Sequence, residues 1–258
     1  MFDQERRKHR QCVQIARDLF TDPQTTNVER LGAFLIASLT CTYPWNFLDM
    51  DVNLDLEAVE RFSRMMRENQ LCEDTFNEVQ PFPTNPTCPS CLHIGGFVVP
   101  SSKMLEVLAK VQELLMNGDY KSSKIIILHN DNDVIHDYLD VALKGFDVPF
   151  FSYGEESDDN SVRIFIQSDT RIILMPIGAL TENNRFYFPP NSHLLVTFGV
   201  QIDRKNFILN HIQTYGSEDT LFSKKFVAKN SLEEVITSTG AHYSMDEMLT
   251  MASLLPDE

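Results

Sequence analysis

Apolar positions along the first forty residues recur at helical spacing. Val13, Ile15, Ala16, Leu19 and Phe20 form a stripe on a predicted helix over 3–20, which Asp22-Pro23 stops. "VERLGAFLIASL" predicts a second, more apolar helix over about 28–40. "TCTYPWNFLDMDVNLD" then breaks the pattern with Pro44 and the only tryptophan, Trp45. "LEAVERFSRMMREN" is amphipathic again, with Leu56, Val59, Phe62, Met65 and Met66 on one side. Pro81, Pro83, Pro86, Pro89 and Pro100, together with Gly95-Gly96, give residues 77–100 the composition of a linker. Beyond Pro100 the texture changes. "SSKMLEVLAKVQELLMNG" predicts a Ser-initiated helix closing on Gly118. "KIIILHN" is a continuous apolar run of the kind a buried parallel strand carries. "DVIHDYLDVALKG" is helical and "VPFFSYG" a strand; a short polar segment with Arg163 leads to the strand "RIILMPI". "SHLLVTFG" is a further strand, "DRKNFILNHIQ" a helix, "TLFSKKFVA" a strand and "SLEEVI" a closing helix. Alternation of strand and helix predicts an α/β fold with a mainly parallel sheet flanked by helices.

Composition narrows the class. The chain has 258 residues, 43% hydrophobic and 23% charged, as expected of a folded protein with one good core and something smaller beside it. No apolar run approaches a membrane span, and "MFDQERRKHRQ" has no apolar stretch behind its charges, so neither a membrane segment nor a secretory signal is expected. Five cysteines, an odd number, fit reduced thiols in a nuclear or cytoplasmic protein. The formal charge of −15 argues against strong autonomous nucleic-acid binding, which draws much of its affinity from basic patches. Acidic stretches such as "EESDD" and "DMDVNLDLE" are spread through the chain. Arg6-Arg7-Lys8-His9-Arg10 is the compact basic cluster, read as a solvated helix face, with a nuclear-import signal as the sharper alternative.

The order and spacing of elements over 101–238 resemble the second, RecA-like lobe of the Swi/Snf-type superfamily 2 helicases. "SSKMLEVLAKVQELL" resembles the helix that opens that lobe, and "KSSKIIILHNDNDVIHDYLDVALKG" the strand and helix of the family's fourth motif. "TRIILMPIGALTENNRFYFPPNSHLLVTF" is similar to the fifth motif and the strand after it. "ILNHIQTYGSEDTLFSKKFVAKNSLEEVI" is similar to the sixth motif, the next strand and the closing helix. "LGAFLIASLTCTYPWNFL" resembles the helix that follows the first lobe, and "TSTGAHYSMDEMLTMASLL" the ending of the lodestar and transcription-termination-factor subfamily. The resemblance implies a helical region over 1–76 starting inside the tail of lobe one, a Pro/Cys-rich linker over 77–100, the lobe over 101–238 and a tail helix over 239–258.

It also implies lost chemistry. The family's sixth motif reads Gln-x-x-x-Arg-x-x-Arg-x-Gly-Gln, and its arginines neutralise charge that develops on the γ-phosphate. Aligned on Gly216, those arginine positions fall on His211 and Thr214, and the final Gln on Ser217. Thr214 carries no charge, and a histidine is too short to replace a bidentate guanidinium. Arg204 and Lys205 lie out of register. The fifth motif's Ala-Gly-x-Gly-Leu-Asn-Leu turn is replaced after Gly178 by Ala179-Leu180-Thr181-Glu182-Asn183-Asn184-Arg185-Phe186. No glycine in the sequence precedes a lysine, so a Gly-Lys-Ser/Thr phosphate loop is absent.

Cys88-Pro-Ser-Cys91 with Cys72 and His93 has metal-ligand spacing; a plain linker is the expected state and structural zinc the alternative. There is no Gly-x-Ser-x-Gly elbow, "FSYG" reads as a strand end, and His129 and His136 read as polar ends of a strand and a helix. Arg185, Phe186, Tyr187 and Phe188, ahead of two prolines, either form a partner-binding loop or pack over the sheet edge. The sequence therefore points to a catalytically inactive helicase-C-like module that needs no cofactor. Its expected partner is a protein, in chromatin or transcription. The alternatives are half of a DNA translocase completed in trans, or a small-ligand binder using strand ends near Asn130, Gly154 and Gly178.

Overall fold

The computed structural model describes residues 3–42, 93–94, 97–98, 101–118 and 123–256, apart from 132–134, 137–138, 141–142, 144–148, 155–156, 158, 216–220 and 241. The predicted helix over 56–69, the Pro44-Trp45 break and most of the 77–100 stretch lie outside these residues. The chain divides into two compact units, 104–226 and 1–103 with 227–258.

Five strands make the sheet of the central unit: β3 (Ile125–His129), β4 (Phe150–Ser152), β5 (Ile172–Pro176), β7 (His193–Val196) and β9 (Phe222–Lys225). They lie in the order β4-β5-β3-β7-β9. Every pairing is parallel. The apolar runs explain why the middle strands are central. Ile125–Leu128, Ile172–Met175 and Leu194–Val196 are buried, the runs a sheet covered on both faces requires. At one edge, β9 is exposed along its length and carries Lys224 and Lys225, charges that discourage pairing with another chain.

Register fixes which side chains share a face. Ile126, Leu128, Ile173, Met175, Leu194 and Val196 point into one core, joined by Val162 and Phe165. Those two belong to a helix, Asp159–Gln167, in the segment that the sequence analysis takes as a short polar connection. Asp159, Asn160 and Arg163 make it look polar, but Val162, Phe165 and Ile166 recur at helical spacing and pack against the core. Phe186 and Phe188 complete the same core from β6 (Phe186–Phe188), which pairs in parallel with β8 (Ile212–Thr214).

Two basic side chains close helix ends. Arg171 donates from its guanidinium to the carbonyls of Leu114 and Leu115, at the end of the helix Ser102–Met116. Lys124 donates to the carbonyls of Phe165, Ser168 and Thr170 at 3.1, 2.7 and 2.8 Å, and its ammonium lies 4.7 Å from the centre of the Phe165 ring. A cation on the last carbonyls satisfies acceptors that the helix cannot. Lys124→Met keeps the stem over Phe165 and removes the donors. It is expected to lower stability by about 1.5 kcal/mol, which urea denaturation measures.

The other unit gathers both ends of the chain. Helices α1 (Asp3–Thr21) and α2 (Asn27–Leu39) bury Val13, Ala16, Ile36 and Ala37. Helices Leu232–Ser238 and Met245–Ser253 add Leu232, Val235, Met248 and Leu249. Capping boxes start two of them: Thr26 with Glu29, and Ser244 with Glu247. By compactness the closing helix 232–238 groups with the terminal helices. The reason is specific bonding. His9 Nε2 accepts from the Leu232 N–H at 3.0 Å, and Glu233, 1% exposed, forms an ion pair with Lys103, also buried. Lys103 Nζ also donates to Thr42 Oγ1 at 2.8 Å, and Glu233 Oε2 accepts from Ala228 N–H at 3.0 Å. Within the stretch read as a linker, β1 (His93–Ile94) and β2 (Phe97–Val98) pair antiparallel, on either side of Gly95-Gly96 in the sequence. A Gly-Gly pair between two β-prone dipeptides is a hairpin signal. Among the described residues no helix is long and apolar enough to cross a membrane.

Candidate functional site

In a parallel α/β sheet, ligands meet the protein at the C-terminal ends of the strands, where the strand order reverses. Here the chain runs from β3 to the far edge at β4, returns to β5 beside β3, then crosses to β7 on β3's other side. The reversal therefore falls between β3 and β7. Thr197, one residue past β7, closes that point by donating from both its N–H and its hydroxyl to the Leu128 carbonyl, at 3.0 and 3.2 Å. Asn130 follows β3, and its Oδ1 is buried with no hydrogen-bond partner among the described residues.

Two motif positions sit at the same end of the sheet. Gly178 and Ala179 form a single 3-10 turn, Ile177–Ala179, directly after β5. A Cβ at Gly178 would lie 2.5 Å from the Asp131 carboxylate, so the glycine allows an acidic side chain to rest on the turn. Ala179 is buried.

The sixth-motif positions do not share an element. His211 is the last residue of the helix Ile202–His211, while Thr214 ends β8. The sequence analysis carries the helix through to Gln213; Ile212–Thr214 instead pair with Phe186–Phe188. His211 is buried; its Nδ1–H donates to the Phe207 carbonyl one turn back at 2.7 Å, and its ring packs 4.1 Å from that of Phe207. Such a side chain braces its own helix. Gly216, Ser217, Cys72, Cys88 and Cys91 lie outside the described residues; His93 begins β1. Among the described residues, no three His, Cys, Asp or Glu side chains are placed to hold a metal ion.

In the 185–188 segment the strand pleat decides. Phe186 and Phe188 are buried in the core, so they cannot belong to an exposed loop for a partner. Arg185 and Tyr187 are exposed, and Tyr187 stacks on Tyr215 with ring centres 6.1 Å apart.

Three groups read separately as strand and helix ends meet in one cluster. Ser152 Oγ lies 2.8 Å from His136 Nε2, His136 Nδ1 lies 3.0 Å from His129 Nε2, and His129 Nδ1 lies 2.7 Å from the Asn130 carbonyl. The carbonyl can only accept, so His129 carries its proton on Nδ1. His129 Nε2 then accepts from His136 Nδ1–H, which leaves His136 Nε2 to accept from the Ser152 hydroxyl. His129 is 1% exposed, and burial first, then the neighbouring His136, pushes its pKa down to about 3. His129 and His136 are thus more than polar element ends. The signal was the parity of the strands: Ser152 pairs with Leu174, Leu174 with Ile127, and His129 lies two residues beyond Ile127 on the same face.

No protein-family model matches the chain, and no curated protein sequence matches it. A solved structure described as the C-terminal part of the Fun30 ATPase domain is similar, with a TM-score of 0.60 at 12% identity. The likeness covers 97% of this chain and 93% of that one. At that identity the likeness shows the fold alone: a RecA-like α/β architecture, a mainly parallel sheet flanked by helices.

Proposed function

We propose that this helicase-lobe fold hydrolyses no ATP and serves as a protein-interaction or regulatory module. The reading is carried by one observation: the positions aligned with the family's two arginines are a histidine folded onto its own helix and a strand threonine. Neither presents a guanidinium, and such groups contribute orders of magnitude to phosphoryl transfer. Apolar patterning runs through the sheet while the aligned motif positions hold no arginine, which is what folding without ATP turnover requires. The net charge of −15 favours protein partners over direct DNA contact. A nuclear setting in chromatin or transcription, and the kinship with the lodestar subfamily, rest on the sequence resemblance.

Nucleotide-dependent thermal stabilisation tests the reading. A ligand at 100 times its Kd stabilises by about 2.7 kcal/mol, which raises Tm by roughly 5–10 °C in a chain of this size. No shift is expected with millimolar ATP and magnesium, and a shift of that order would overturn the assignment. Affinity purification of the native protein should recover chromatin or transcription factors; metabolic enzymes alone would count against the setting.

A further inference from the structure

Parallel strands lie about 4.8 Å apart, so β3 and β4, with β5 between them, are roughly 10 Å apart. One imidazole, His136, spans that width and joins the hydroxyl at the end of β4 to the imidazole at the end of β3. Every proton in the chain has one direction, from Ser152 to His136 to His129 to the Asn130 carbonyl. A nucleophile needs a base within hydrogen-bond reach and a third group that fixes the base's tautomer. All three are present, at the edge of the sheet where α/β folds place their chemistry. Ser152 and His136 are half-buried, whereas His129 is enclosed.

We propose that Ser152 is an activated nucleophile, with His136 as its general base and His129 as the positioning residue, acting on small uncharged acyl esters. The reading is independent of the silent nucleotide site. Asp131, whose carboxylate rests on Gly178 at the same edge, disfavours anionic substrates. In the first step Ser152 Oγ bonds to the acyl carbon and its proton passes to His136 Nε2. The C–O bond to the alcohol breaks, and the departing oxygen takes that proton. Water then attacks the acyl carbon, giving its proton to His136, and the bond to Ser152 breaks. The acid leaves, and the proton returns to Ser152. Burial keeps His129 neutral throughout, so it orients the base without taking the proton.

A fluorophosphonate probe on the full chain tests this. Its phosphorus bonds to Ser152 Oγ, fluoride leaves with the electron pair of the P–F bond, and the proton goes to His136. The expected result is an adduct on Ser152, located by tandem mass spectrometry, forming at a rate that rises with pH. Ser152→Ala should abolish both the adduct and hydrolysis of p-nitrophenyl acetate. His136→Gln should slow labelling at least about 100-fold while leaving Tm within a few degrees. No adduct at Ser152, or equal rates in His136→Gln, would overturn the proposal. Should His136→Gln not fold, the wild-type pH profile decides, and a flat profile is equally fatal.

Discussion

Glu233→Gln is expected to destabilise the protein by about 3–5 kcal/mol, the usual cost of stranding one member of a buried ion pair. Glu233 and Lys103 are 1% and 5% exposed, so neither reaches water when the other is removed. The carboxylate also accepts the Ala228 N–H, and the ammonium donates to Thr42, so three segments distant in sequence, around 42, 103 and 228–233, meet at this pair. Chemical denaturation of Glu233→Gln and Lys103→Met measures each loss. The double variant Lys103→Met/Glu233→Leu should recover much of it, since apolar groups of similar volume replace such pairs at little cost. A double variant no better than the sum of the singles would mean that the pair matters through shape alone.

Stability should also fall steeply as the solution is acidified from pH 7 to pH 5, before most carboxylates titrate. His9 is buried; its Nε2 accepts the Leu232 N–H and its Nδ1–H donates to Thr40, whose hydroxyl in turn donates to the Ala37 carbonyl. Burial first, with Arg10's charge adding and the Ala37 carbonyl opposing, pushes its pKa down to about 4, and that of His129 falls to about 3. In the unfolded chain both titrate near the ordinary histidine value. Below that value the unfolded state binds protons that the folded state refuses. The stabilisation is therefore complete above about pH 6.5 and is lost as pH falls toward the folded values. By pH 5 each histidine should have given up about 2 kcal/mol. Urea midpoints across pH 5–7 follow the slope, and His9→Gln should flatten part of it. An unchanged midpoint would mean that His9 is solvated in solution.

The sheet was legible because its central strands are apolar on both faces, a pattern that survives without knowledge of neighbours. Ile125–Leu128 and Ile172–Met175 needed nothing but their own sequence. The helix at 159–167 was hidden by its polar first turn, which outweighed three apolar residues. Phe186 and Phe188 were ambiguous because a three-residue strand gives too few positions to separate alternation from an aromatic loop. The Ser152–His136–His129 chain was out of reach for a different reason. Its members are 7 and 16 residues apart in sequence, and they meet only because β5 enters between β3 and β4. Likewise nothing near Glu233 signals that its partner is Lys103, 130 positions away.

That separation bears on how the polypeptide matures. The unit built from 1–103 and 227–258 is interrupted by the whole of 104–226. On a ribosome, the interior segment is fully synthesised while α1 and α2, already able to pack on each other, still lack the helices at 232–238 and 245–253. The sheet is thus free to form early, and the sides of α1 and α2 that meet the later helices stay uncovered until 227–258 emerge. Holding chaperones would find their target there, during synthesis rather than after it.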